Sequence, residues 1–210
     1  MGIHQNIQCK CSDVKACQKV WLKLVKNWVY LMEDYRAVVK KDEAYWYDER
    51  SNVSLLSSAA WRAGGVSLTE CSVSRKIGRK KHQGFCDMFM EIDGFRFSIE
   101  AKLLRGYVRP DTNARWSNKL LHVSEKQARS MREEKGGEKI SLCFITPIGS
   151  TSKDASNKFE EILKLYKNQC KQSRSSLLAS YKGYKPLYYK HKYYPGFYSG
   201  IILVANILPK

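Results

Sequence analysis

The sequence predicts an α/β protein in which a mixed central sheet is flanked by helices, with an extra helix before the core and an extension after it. Three observations carry this. Asp93-Gly94 joins two alternating segments, and Asp followed by Gly tolerates the positive φ that both central residues of a type I′ hairpin turn require. Apolar residues recur at helical spacing both before and after that hairpin. Lys139 to Ile148, KISLCFITPI, is a near-continuous apolar run of the kind found in strands covered on both faces.

Taken in order, Ser12-Asp13 can cap a first helix running to about Lys40, with Val14, Cys17, Val20, Trp21, Leu24 and Trp28 along one stripe. Lys15, Lys19, Lys23 and Lys26 fall opposite. Glu43 to Glu49 connects to a second helix, Ser51 to Ala63, which Gly64-Gly65 stops. Val66 to Ser74 reads as the first strand, and Arg75 to His82, RKIGRKKH, as a basic loop leading into the hairpin. Leu103 to Lys119 reads as irregular, and Ser124 to Glu134 as a helix capped by Ser124 and ended by Gly136-Gly137. The apolar strand is followed by a helix over Phe159 to Gln169, a stretch dense in Tyr and Lys from Tyr181 to Tyr198, and a last strand, Gly200 to Leu208. Interleaved aromatics and cations suit stacking on exposed bases, and equally a half-buried edge strand. With no internal repeat, residues 1–210 read as a single domain: 1–42 an N-terminal helical addition, 49–148 the core, and 149–210 the C-terminal helix, Tyr/Lys-rich segment and strand.

The hairpin register sorts its side chains. With Asp93 and Gly94 as the loop, Ile92 lies opposite Phe95, Glu91 opposite Arg96, and Asp87 opposite Glu100. Cys86, Met88, Met90 and Ile92 then share an apolar side with Phe97, Ile99 and Ala101, while Asp87, Glu91, Arg96, Glu100 and Lys102 take the other. Two carboxylates facing each other across a ladder, with Cβ atoms roughly 5 Å apart, repel unless a proton or cation lies between them. Mg²⁺, a hard ion commonly held by one or two carboxylates while keeping several waters, removes the conflict, and Mn²⁺ can substitute. Lys102 points to the same side.

Asp87 followed by Glu100-Ala101-Lys102 on adjacent strands resembles the PD-(D/E)XK nuclease superfamily, with Cys86 where that motif often has proline. The resemblance covers roughly Glu49 to Ile148 and implies a restriction-endonuclease-like αβββαβ core. By it, Asp87, Glu100 and the Ala101 carbonyl bind the metal, and Lys102 assists the water that cleaves a phosphodiester. In that superfamily the helix before the first core strand often brings a further acid, and Glu49 is the position that resembles it. Glu70 is the alternative, and the dipole at a helix N-terminus also favours an acid at Glu49 without any metal.

Lys and Arg number 37 against 20 Asp and Glu, a net charge of +17, which speaks of a polyanionic partner. Nucleic acid, with DNA the first expectation, fits better than a membrane, because no apolar run can span a bilayer and no signal peptide is visible. Arg75, Lys76, Arg79, Lys80, Lys81 and Arg105 are the candidate phosphate contacts, and a homodimer is left open. Seven scattered cysteines fit reduced thiols in the cytoplasm. His4, Cys9, Cys11 and Cys17 match no zinc spacing. The rival readings are a basic nucleic-acid-binding module without catalysis, and a protein-binding domain.

Overall fold

The computed structural model describes residues 8–9, 14–77, 80–106, 110–131, 137–172, 176–190 and 195–208. Four helices, α1 (Val14–Val38), α2 (Glu49–Arg62), α3 (Pro110–Ser130) and α4 (Ser152–Gln172), flank one sheet. Its strands are β1 (Gln8–Cys9), β2 (Val66–Ile77), β3 (Lys80–Ile92), β4 (Phe95–Gly106), β5 (Glu138–Gly149), β6 (Ser176–Tyr189) and β7 (Gly196–Leu208), in spatial order β1-β6-β7-β5-β4-β3-β2. The sheet is mixed. β4 and β5 run parallel, joined by the α3 crossover, and all other pairs are antiparallel.

Burial on both faces explains the sequence of β5. Ile140, Leu142 and Phe144 pack into one core with α1 and α2, while Cys143 and Ile145 pack into a second with α3 and α4. α1 contributes Trp21, Leu24, Trp28 and Met32, all fully buried, as its periodic stripe predicts. The hairpin turn is as expected, with Asp93 at φ 51° and Gly94 at φ 80°. Lys23 on α1 pins it through Asp93 at 3.1 Å. α2 is capped by Asp48, whose carboxylate accepts from Ser51 N at 2.8 Å, and it stops at Gly64, whose φ of 78° a side chain would strain. Cys17, Cys71, Cys86 and Cys143 are buried free thiols. No helix among the described residues is long and apolar enough to cross a membrane.

Three elements differ from expectation. Most of the basic segment is strand rather than loop: β2 and β3 stay paired out to Ile77↔Lys80, so Arg75 to Ile77 and Lys80 to His82 belong to a long hairpin arm, with 78–79 outside the described residues. Cross-strand hydrogen bonding overrides the charge density there. The segment expected to be irregular holds the end of β4 and the start of α3, which begins at Pro110 rather than Ser124. Proline is well suited to a helix's first position, where no N–H is needed, and Ser124 instead donates to the Leu121 carbonyl at 2.9 Å within the helix. The Tyr/Lys-rich stretch is mostly β6 and the start of β7. Tyr181 and Tyr198 are buried, and Trp46 stacks on Tyr189 with ring centroids 4.7 Å apart. Those tyrosines belong to the core, which favours the edge-strand reading over base stacking. His191 to Tyr194 lie outside the described residues, as do Ser12-Asp13, Arg79, His4 and Cys11. β2 forms the outer edge of the sheet, and its pairing with β3 is interrupted at Glu70, which adopts φ 53°.

Candidate active site

The site arises where β3 and β4 part. Their ladder follows the expected register from Ile92↔Phe95 to Met88↔Ile99 and ends one pair short of Asp87 and Glu100. β4 continues alongside β5 as far as Gly106↔Pro147, so beyond Ile99 its edge toward β3 loses its backbone partners. Carboxylates take their place. Asp87 Oδ2 accepts from Ala101 N at 2.7 Å, and Glu49 Oε2 accepts from Leu103 N at 2.9 Å. The expected face-to-face pair of acids is thus opened: Asp87 reaches past Glu100 to the next amide of β4.

Lys102 ties the acids together. Its Nζ donates to Glu49 Oε1 at 3.2 Å and to the Ala101 carbonyl at 2.5 Å, and it lies 3.9 Å from Asp87 Oδ2. Glu49 is the first residue of α2, so the helix start delivers a carboxylate to the end of β4. Glu70, the alternative acid, falls opposite Asp87 between Thr69↔Met88 and Cys71↔Cys86, but its carboxylate turns to Arg50 at 3.4 Å and stays half-exposed.

Glu100 is buried, with 2% of its surface exposed. Burial, and next the charge of Asp87, push its carboxyl up to about 7, against the opposing pull of Arg75 and Lys102. Arg75 is the residue whose place the sequence did not reveal. Its guanidinium turns inward and donates to Glu100 Oε1, to the Phe85 carbonyl, to the Gln127 carbonyl at 2.8 Å and to Ser130 Oγ at 3.1 Å. Arg75 thus faces inward here, unlike the exposed lysines beside it that were expected with it as phosphate contacts. No local motif signals it, because its partners lie on β3, β4 and α3.

The other cations divide. Lys76, Lys80 and Lys81 are exposed on the arm, with Lys76 directly across from Lys81. Arg105 donates to the Tyr47 carbonyl, in the connection before α2. Gln127 enters only through its backbone.

The donors at the site are hard oxygens: two carboxylates, from Asp87 and Glu100, and the Ala101 carbonyl. Among the described residues no group of three or more His, Cys, Asp or Glu side chains is gathered to hold an ion. A set of two carboxylates and one carbonyl suits Mg²⁺, which keeps several waters, and not zinc. A divalent ion here would also offset the Asp87 charge which, after burial, raises Glu100. No protein-family model, curated protein or solved structure matches the chain. The functional reading rests on the geometry.

Proposed function

We propose that the protein is a metal-dependent nuclease, hydrolysing phosphodiester bonds of nucleic acid and of DNA first, on a restriction-endonuclease-like core of the PD-(D/E)XK superfamily. The observation that carries this reading is the convergence of Asp87, Glu100, the Ala101 carbonyl and Lys102 at the parted end of β3 and β4, with Glu49 behind the lysine. The element order α2-β2-β3-β4-α3-β5 supports it.

Asp87, Glu100 and the Ala101 carbonyl would hold Mg²⁺, which when bound lowers the pKa of a water and neutralises charge on the scissile phosphate. Lys102, steadied by Glu49, orients that water or meets the negative charge developing on the phosphate oxygens. Lys76 and Lys81 are like charges directly across a ladder, an arrangement that costs stability in isolation and that a phosphate relieves.

The test is incubation of the purified protein with linear, circular and single-stranded DNA and with RNA, in Mg²⁺, Mn²⁺ or chelator. Cleavage that needs the metal and disappears in Asp87→Ala is the expected result. Intact substrates under every metal would overturn the proposal. One observation favours a second reading, a basic nucleic-acid-binding module without catalysis: Arg75 already satisfies Glu100. Retained, salt-sensitive binding with no cleavage would identify that case.

A further inference from the structure

We propose that Arg75 is a resident counter-ion at Glu100 that exchanges onto a substrate phosphate, so that the metal site becomes competent only when nucleic acid is bound. The inference rests on the metal-dependent reading above and adds its regulation.

The arrangement is built rather than incidental. Arg75 spans three elements besides its own: Phe85 on β3, Glu100 on β4, and Gln127 and Ser130 on the last turns of α3. The backbone of β2 also bridges to Met131 at Arg75, fixing where the side chain starts. Space for it is made by Gly84, where an added Cβ would stand 2.7 Å from Arg75 Nε and 2.9 Å from its Cδ. The pair is secluded, with side-chain exposures of 14% for Arg75 and 3% for Glu100. A guanidinium over one carboxylate oxygen occupies a position that a divalent ion needs, so the two cations compete for Glu100.

The same arm supplies the means of exchange. Side chains alternate along β2, so Arg75 turns inward while Lys76, exposed and opposite Lys81, faces solvent. Phosphates drawn to Lys80, exposed and paired with Ile77 and so on the same side of the arm as Arg75, arrive two positions along the strand from the guanidinium. A phosphate matches its fork as well as a carboxylate does. Transfer of Arg75 from Glu100 to a phosphate frees the carboxylate for the ion, and in the second state opposite charges stay matched: arginine on phosphate, the divalent ion on the Glu100 and Asp87 carboxylates, and Lys102 on Glu49. The coupling is reciprocal, so metal must tighten nucleic-acid binding by the same factor.

Mn²⁺ binding, read by electron paramagnetic resonance of the free ion, tests this with and without a phosphorothioate oligonucleotide in single- and double-stranded forms. The oligonucleotide should tighten Mn²⁺ binding to the wild type about tenfold, an ordinary size for coupling between sites. Arg75→Gln should bind Mn²⁺ about tenfold tighter than wild type without oligonucleotide and gain little from adding it. Arg75→Lys, which keeps a charge but cannot reach all four acceptors, should fall between the two and serves if the glutamine variant does not fold. Affinity for Mn²⁺ that is unchanged or weaker in the folded variants overturns the proposal. Asp87→Ala separates the two failures. If it loses Mn²⁺ while the Arg75 variants match wild type, only the exchange is wrong. If it binds Mn²⁺ as wild type does, the metal reading falls, and the exchange with it.

Discussion

Two buried glutamates, each beside an arginine, mark opposite sides of the sheet. Glu43, in the connection between α1 and α2, is fully buried, 3.3 Å from Arg36 and near Tyr181 of β6. Glu100, on β4, pairs with Arg75. Burial pushes both carboxyls up to about 7. Yet their surroundings differ in kind. The Glu43 carboxylate accepts no hydrogen bond and has the aromatic rings of Tyr45 and Tyr181 about it, whereas Glu100 has a second carboxylate, the Ala101 carbonyl and the Lys102 ammonium that donates to that carbonyl converging beside it. A perturbed acid alone therefore does not define a site; convergence of complementary groups does.

The largest effect should separate the two acids outright. Glu100→Ala or Asp87→Ala should lower metal-dependent cleavage by roughly a thousandfold, as loss of a group stabilising transition-state charge does, while Glu43→Gln leaves the cleavage rate unchanged. Equal loss in a folded Glu43→Gln protein would erase the distinction. Lys102→Ala should cost about 10²–10⁴ in cleavage rate while oligonucleotide binding persists, since in the proposed mechanism the group would assist proton and charge movement rather than seat the backbone. Gel-based cleavage and fluorescence anisotropy on the same preparation separate these outcomes.

Glu43 should appear instead in stability. Its carboxyl is raised from the ordinary 4.5 to about 7 in the folded chain, so between those values the folded state holds a proton that the unfolded state has lost. The contribution of Glu43 to stability is therefore fullest below about pH 4.5 and falls as the pH rises towards 7, by an upper limit of about 3 kcal/mol. Urea titrations across that range should show the slope in the wild type and a flatter profile in Glu43→Gln. The smallest effect concerns the arm: Lys76→Gln or Lys81→Gln should each reduce the slope of log affinity against log salt by about one. An unchanged slope would mean that substrate arrives elsewhere than at Glu100's end of the molecule.

Much of this was legible in the residues because the relevant rules are local. Asp93-Gly94 dictates a turn, the turn fixes a register, and the register alone placed Asp87, Glu100 and Lys102 at one end of the hairpin. The fully apolar β5 likewise announced its burial on both faces. What escaped depends on distant partners. Nothing near Asp87 says that β3 leaves β4 after Met88, and so nothing says that the carboxylates of Asp87 and Glu49 will cap the amides of Ala101 and Leu103. Arg75 looks like its neighbours Lys76 and Lys80, and only Gly84 across the arm and the end of α3 turn it inward. The start of α3 was hidden by polar residues such as Thr112 and Asn113, which resemble loop sequence, and β6 by tyrosines whose ring packing against Trp46 no spacing reveals.

The interruption of β2 at Glu70 has a bearing on how the protein behaves in a crowded solution. A sheet that finishes in a strand of twelve residues offers its unsatisfied backbone rim to any passing chain, the usual seed of edge-to-edge association. Here the left-handed residue at Glu70 bends that rim in mid-course, and the contact of Met131 with Arg75 blocks it further along. A foreign strand finds only short, separate stretches to zip onto, so the break at Glu70 and the bridge to Met131 both work against edge-to-edge pairing along β2.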